Sequence, residues 1–149
     1  GGLAIGVTLA LKDDNNDLPN AVIPLSPWAE LDPVSESYKI NERLDPYISK
    51  DAIAAFKNLY VNDELDVKNP YASPVYGNFD GFPPMLIQVG GREVLIDDSK
   101  KIAKKAKEAG CNVSLEVWDD MVHVFHGYAP FLPEANEALE VIGEFIADK

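Results

Sequence analysis

Apolar residues recur along this chain with two spacings, and the switches between them outline an alternation of helices and strands. Residues 1–12 (GGLAIGVTLALK) combine helix formers with small residues and predict a buried helix that stops at Asp13-Asp14-Asn15-Asn16. Gly1, Gly2 and Gly6 would let its start approach a sheet closely. Residues 20–25 (NAVIPL) are short, apolar and branched, which predicts a buried strand closed by Ser26-Pro27-Trp28. Residues 85–89 (MLIQV), apolar except for Gln88, predict a second buried strand ending at Gly90-Gly91. A helix should follow from Asp97 or Asp98 to Ala109. Its first turn holds acids and its later turns Lys100, Lys101, Lys104, Lys105 and Lys107, the order the helix dipole favours, and Gly110 suits the position just past its end. Residues 113–118 (VSLEVW) alternate, with Val113, Leu115 and Val117 on one face and Ser114 and Glu116 on the other, as in a strand near a sheet edge. Residues 133–147 read as a closing amphipathic helix with Ala135, Ala138, Leu139, Ile142 and Ile146 on its apolar face.

Residues 29–80 break this rhythm. Pro33, Pro46, Pro70 and Pro74 interrupt them. Their clearest element is a helix over 51–60 (DAIAAFKNLY), N-capped by Ser49, with Ala52, Ala55, Phe56 and Leu59 on one face. The part from 29 to 67 reads as a cap-like excursion from the sheet, in which Phe56 could roof a pocket or simply pack in the core. Strands alternating with helices define an α/β fold with a mostly parallel sheet covered by helices on both faces. Three strands are few for such a sheet. The apolar periodicity also begins at Gly1 with no capping residue before it. Both features predict that the 149 residues are the later part of one larger domain.

Composition narrows the function. With 46 % apolar and 26 % charged residues the chain can bury a core. No apolar run approaches the ~20 residues a membrane span needs, and no secretory signal pattern is present. Cys111 is the single cysteine, so no internal disulfide can form, and a cytoplasmic location is expected. A net charge of −12 argues against nucleic acid, anionic membranes and strongly anionic substrates as partners.

In an open α/β sheet, ligands bind beyond the carboxyl ends of the strands. Glu93 follows the strand at 85–89 and His123 follows the strand at 113–118. They are 123 − 93 = 30 residues apart, about the length of one strand–helix–strand crossover. A histidine that serves as a base needs a carboxylate to fix its tautomer, so the pair is a candidate catalytic couple. A loop histidine bonded to the backbone and a solvated acid are the plainer alternatives, and the residues alone leave both open. His126 is expected to be structural or to rim a pocket. Cys111 should be a buried, inert thiol, and Lys100 to Lys107 a solvated helix face. Neither a metal-ligand spacing nor a glycine-rich phosphate loop is present, so no metal or cofactor is expected.

Several motifs, taken in order, resemble those of the hormone-sensitive-lipase-like esterases of the α/β-hydrolase fold. Gly1-Gly2-Leu3-Ala4 looks like the residues just after the nucleophile in Gly-Asp-Ser-Ala-Gly-Gly. Ser26-Pro27-Trp28, Ser73-Pro74 and Gly81-Phe82-Pro83-Pro84 resemble later landmarks. Glu93-Val94-Leu95-Ile96-Asp97-Asp98 resembles the acid motif, and Met121-Val122-His123-Val124-Phe125 the histidine motif. The resemblance implies the C-terminal portion of an α/β-hydrolase with a partial cap. It implies ester hydrolysis by a Ser-His-Glu triad, with Glu93 and His123 catalytic and the serine upstream of this chain. The resembled motifs carry aspartate more often than glutamate at position 93, which keeps Asp97 as a rival acid, although its place opening a helix suits a capping role. Glycine is usual at position 124, where Val124 should narrow the pocket mouth. Val94, Leu95, Val124 and Phe125, beside the acid and the histidine, are the expected substrate contacts and suit a small neutral ester. An amidase or peptidase on this fold, or a non-catalytic binding protein, are the alternatives. The edge strand 113–118 is expected to pair with its copy in a homodimer, as in several members of the resembled family.

Overall fold

The computed structural model describes residues 1–61 and 67–148; residues 62–66, within the expected excursion, lie outside them. Helix α1 spans Gly2–Asp13, and its buried Ile5 and Leu9 lie one turn apart. Gly2 is needed there for close approach: a Cβ on it would sit 1.8 Å from the carbonyl oxygen of Trp28. The short helix α2 covers Ser37–Ile40 and α3 covers Lys50–Tyr60. The Ser49 hydroxyl caps α3 by accepting from the Ala52 N–H. Strand β1 runs Met85–Gly90, helix α4 Ile96–Glu108, strand β2 Val113–Trp118 and helix α5 Pro133–Ala147. Past α4, the bonds Cys111 N–H to Ala106 O and Gly110 N–H to Lys107 O close the helix, with Gly110 at φ +79° as its left-handed stop.

Strands β1 and β2 pair in parallel, Met85 opposite Val113 through Gly90 opposite Trp118. The expected strand at 20–25 is a correction. It meets β1 only at two isolated parallel bridges, Val22 with Met85 and Leu25 with Gln88. Val22 both donates to Pro84 O and accepts from Leu86 N, while Pro24 accepts from Gln88 N. Proline has no N–H to return, so the ladder is interrupted between the two bridges. The direction is nonetheless parallel, and the carboxyl ends of all three segments share one edge.

The two faces of β1 are covered by different helices. Met85 and Ile87 pack with Ile5 and Leu9 of α1 and Ile102, Ala103 and Ala106 of α4. On the opposite face, Gln88 donates to Ala138 O of α5. Two expected apolar faces are only partly used. In α3 the buried residue is Ile53, while Phe56 and Leu59 are exposed. In α5, Ala135 and Ala138 are buried but Leu139 and Ile146 are exposed. Among the described residues no helix is long and apolar enough to cross a membrane.

Candidate active site

The loops that leave β1 and β2 are tied together where the sheet ends. A Cβ on Gly90 would lie 2.3 Å from Met121 O, so only glycine allows this approach. Gly91 N donates to Trp118 O at 2.8 Å and Arg92 N to Met121 O at 3.1 Å. Glu93 then folds back beneath the edge with 0 % of its surface exposed. Its Oε1 accepts from Gly90 N and from the Ser26 hydroxyl, both at 2.6 Å. Its Oε2 lies 2.9 Å from His123 Nδ1. A buried carboxylate is tolerated when donors surround it, and here three do. An ionised carboxylate only accepts, so Nδ1 carries the hydrogen and the neutral ring keeps its lone pair on Nε2.

Beyond His123 the chain kinks. Val124 adopts φ +48°, ψ +45°, and a 3-10 helix, Phe125–Tyr128, follows. The fully buried Phe125 packs 5.6 Å from the Trp118 ring and anchors the kink. Val124 N donates to Ser26 Oγ at 3.1 Å. Ser26, itself at φ +44°, thereby joins the acid to the histidine loop. From sequence it stood only as the end of a strand and one motif among several. The strand-end rule that singles out Glu93 and His123 applies equally to the residue after 20–25, and would have found it.

The excursion holds the acid loop from outside. Asn41 donates to Glu93 O at 2.8 Å, the Ser37 hydroxyl donates to Val94 O at 2.6 Å, and Asp45 accepts from Val94 N at 3.0 Å. None of these three emerges from sequence, because loop polar residues follow no period. Asp97, the rival acid, instead accepts from Ser37 N and meets Lys100.

A cavity of about 270 Å³ opens at this edge, walled by Gly1, Leu25, Ser26, Trp28, Leu31, Tyr60, His123 and Val124 among others. Of the four expected substrate contacts, Val124 lines it. Val94 and Leu95 lie in a core cluster with Tyr38 and Ile53, and Phe125 in another with Ala135 and Ala138. Helix α3 contributes Tyr60 to the wall rather than Phe56.

Behind the cavity, Gln88 sets the state of His126. Both amide hydrogens of Gln88 point to acceptors, Glu116 Oε2 at 2.8 Å and Ala138 O at 3.1 Å. Its Oε1 must therefore accept from His126 Nε2, 2.9 Å away. Burial pushes the imidazole's pKa down, against an opposing pull from the Glu93 charge. This is a structural, neutral histidine. Asp98 is buried too, and desolvation pushes its pKa up to about 7, although its Oδ2 accepts from Ala29 N and Glu30 N. Burial also pushes the Cys111 thiol up, and its sulfur contacts Phe79 O. Such a thiol is a poor nucleophile. Among the described residues no three His, Cys, Asp or Glu side chains are grouped to hold a metal.

Comparison with known proteins places this geometry. A family model for the alpha/beta hydrolase fold matches residues 1–127. An acetyl-hydrolase from Streptomyces hygroscopicus is 38 % identical over 145 residues, 97 % of this chain and 48 % of that protein. An esterase from Acinetobacter venetianus is 36 % identical over 143 residues, 96 % of this chain and 47 % of that protein. The crystal structure of EstE5 superposes with a TM-score of 0.95 at 41 % identity, covering 99 % of this chain and 49 % of that one. An esterase from the bacterial hormone-sensitive lipase family superposes at 0.94 with 41 % identity, covering 97 % of this chain and 48 % of that one. The chain thus spans about half the length of the relatives it matches. With its parallel strands, covering helices and the motifs at the sheet edge, this chain belongs to the α/β-hydrolase family, and its likeness is to the esterases of the bacterial hormone-sensitive lipase family.

Proposed function

We propose that the full-length protein hydrolyses carboxylic esters by acyl transfer to a serine that lies upstream of Gly1. The observation that carries this reading is the 2.9 Å contact of His123 Nδ1 with the buried Glu93, at the wall of an open cavity. His123 Nε2 takes the serine proton as the serine oxygen bonds to the ester carbonyl carbon. It passes that proton to the departing alkoxide as the C–O bond breaks. Water then adds to the acyl-serine with His123 again as base, the acid leaves, and the serine recovers its proton. Glu93 holds the tautomer and balances the transient imidazolium, and Ser26 positions Glu93. Ser26 is no substitute for the missing nucleophile, because its hydroxyl donates to Glu93 rather than to the histidine. The oxyanion hole would likewise come from upstream backbone N–H groups.

The small, largely apolar cavity and the net charge of −12 favour small neutral esters. Val124 contacts substrate, while Val94, Leu95 and Phe125 brace the loops behind it. We read residues 1–149 as the later part of one hydrolase domain, with 29–67 as a partial cap, in a reducing cytoplasm that suits the lone thiol of Cys111. Assay of the full-length protein on p-nitrophenyl acetate and the matching anilide tests the reaction. Ester turnover should dominate, and a folded His123→Ala variant should lose several orders of magnitude in rate. Faster anilide turnover would establish the amidase alternative. Near-normal ester hydrolysis by His123→Ala would remove the mechanism, and absence of any hydrolysis would favour a binding protein.

The open side of β2 supports a homodimer. Among the described strands β2 pairs only with β1. Its one internal acid, Glu116, is engaged by Gln88 and offers little repulsion to a second copy. Light scattering of the full-length protein at micromolar concentration should give twice the chain mass; a monomer with β2 accessible to exchange would overturn the pairing.

A further inference from the structure

Val124 combines a backbone and a side chain that rarely occur together. Its φ of +48° lies in the left-handed region, where a residue branched at Cβ is a true outlier. Such conformations persist where the surroundings over-determine them, and they gather at functional sites. Here three restraints enforce the kink: His123 is held to Glu93 on one side, Phe125 is buried on the other, and Val124 N–H is bonded to Ser26 Oγ. Glycine would meet all three without the steric penalty.

What valine has here that glycine lacks is its isopropyl group. It belongs to none of the three apolar clusters formed by the described residues, although its neighbours Met121, Val122 and Phe125 all do. It is 38 % exposed and lines the cavity beside His123. A strained residue whose side chain stays more than a third exposed and lines the candidate site has its use in that site.

We propose that Val124 sets the size limit on the alcohol portion of the ester. This rests on the esterase reading above. In that mechanism His123 must reach the alkoxide oxygen to protonate it, so the alcohol portion leaves along the wall beside His123. The residue that follows the histidine and lines that wall is Val124. The acyl portion is left to the rest of the cavity, on the side of Trp28, Leu31 and Tyr60.

The test compares Val124→Ala and Val124→Gly with the wild type in the full-length protein. One series holds the acyl group at acetate and enlarges the alcohol from methyl to cyclohexyl to 1-naphthyl. The other holds p-nitrophenol and lengthens the acyl group from acetate to hexanoate. One methylene more or less in an apolar pocket changes selectivity by about 10–200-fold. The kcat/KM ratio of bulky to small alcohol should thus rise by at least about 10-fold in both variants, while the acyl ratio moves by less than about 2-fold. Alanine keeps the Cβ, and with it the left-handed penalty common to all residues but glycine, while it loses the branch and the bulk. A change in glycine alone would mean that loop loosening is responsible, and would overturn the proposal. So would equal shifts in both series, or none in the alcohol series. Absence of ester turnover by the wild type would overturn the esterase reading and this inference with it, whereas turnover with unchanged alcohol selectivity overturns the inference alone.

Discussion

Replacing Ser26 separates what its hydroxyl does from what its backbone does. The hydroxyl donates to Glu93 Oε1 at 2.6 Å and accepts from Val124 N at 3.1 Å. Glu93 is wholly buried, so water has no ready way to replace the lost donor. A hydrogen bond to a charged group contributes about 1.5–3 kcal/mol. Ser26→Ala removes it and orphans the Val124 N–H, so the protein should lose about 3 kcal/mol of stability. If the loss of 1.5–3 kcal/mol reappears as poorer orientation of His123, kcat falls by about 10–150-fold at 1.36 kcal/mol per tenfold. KM should hardly move, because the hydroxyl is turned to Glu93 and Val124. Ser26→Gly loses the same hydroxyl, but at φ +44° it escapes the left-handed penalty of about 1–2 kcal/mol that serine and alanine share. Part of that gain is offset by the greater freedom of glycine in the unfolded chain, which leaves it about 0.5–1 kcal/mol more stable than the alanine variant. Urea unfolding followed by tryptophan fluorescence, alongside kcat for p-nitrophenyl acetate, measures both quantities in the full-length protein. The two variants should match in kcat and differ in stability. Recovery of wild-type kcat in Ser26→Gly would show that the backbone, not the hydroxyl, matters, and an unimpaired Ser26→Ala would refute the positioning role altogether.

Other outcomes follow from the same geometry. Glu93→Gln keeps the shape of the site but removes the charge that the proposed mechanism sets against the imidazolium, and kcat of the full-length protein should fall on the order of 10⁴-fold; a loss below tenfold would deny Glu93 its role. Asp98 has a folded-state pKa of about 7, raised from the ordinary 3.8 by burial. The folded protein therefore holds a proton that the unfolded chain has already released, so this group's contribution is complete below about pH 4 and is lost as pH rises through about 7. Asp98→Asn abolishes that slope, so urea unfolding from pH 4 to 7 should show the wild type losing stability relative to the variant, by a few kcal/mol in order of magnitude. A constant difference across that range would mean Asp98 is ionised throughout.

Local periodicity was enough to locate most elements. The strand at 113–118 and the helix at 133–147 are found at their expected bounds, and β1 and α4 differ from theirs by a residue or two. The meeting of Glu93 and His123 was also legible, because one parallel crossover carries both residues to the same sheet edge whatever the detailed packing. Pro24 shows a cause visible in the sequence whose effect is visible only in the ladder: it removes one donor and splits the strand into two bridges. Exposure on α3 was not legible. A periodic stripe says which residues share a face, whereas Phe56 and Leu59 are exposed or buried according to what lies opposite. Nor does adjacency to a candidate site give direction: Val94 follows Glu93 directly and points into the core, while Val124 follows His123 and lines the cavity. The bonds from Ser26, Asn41, Ser37 and Asp45 to the acid loop span 49 to 67 residues. The chain's local code therefore specified its elements and the edge at which a carboxylate and an imidazole emerge. The orientation of those groups was decided in three dimensions, because hydrogen-bond partners so distant along the chain are brought within 3 Å only by the packing of the whole.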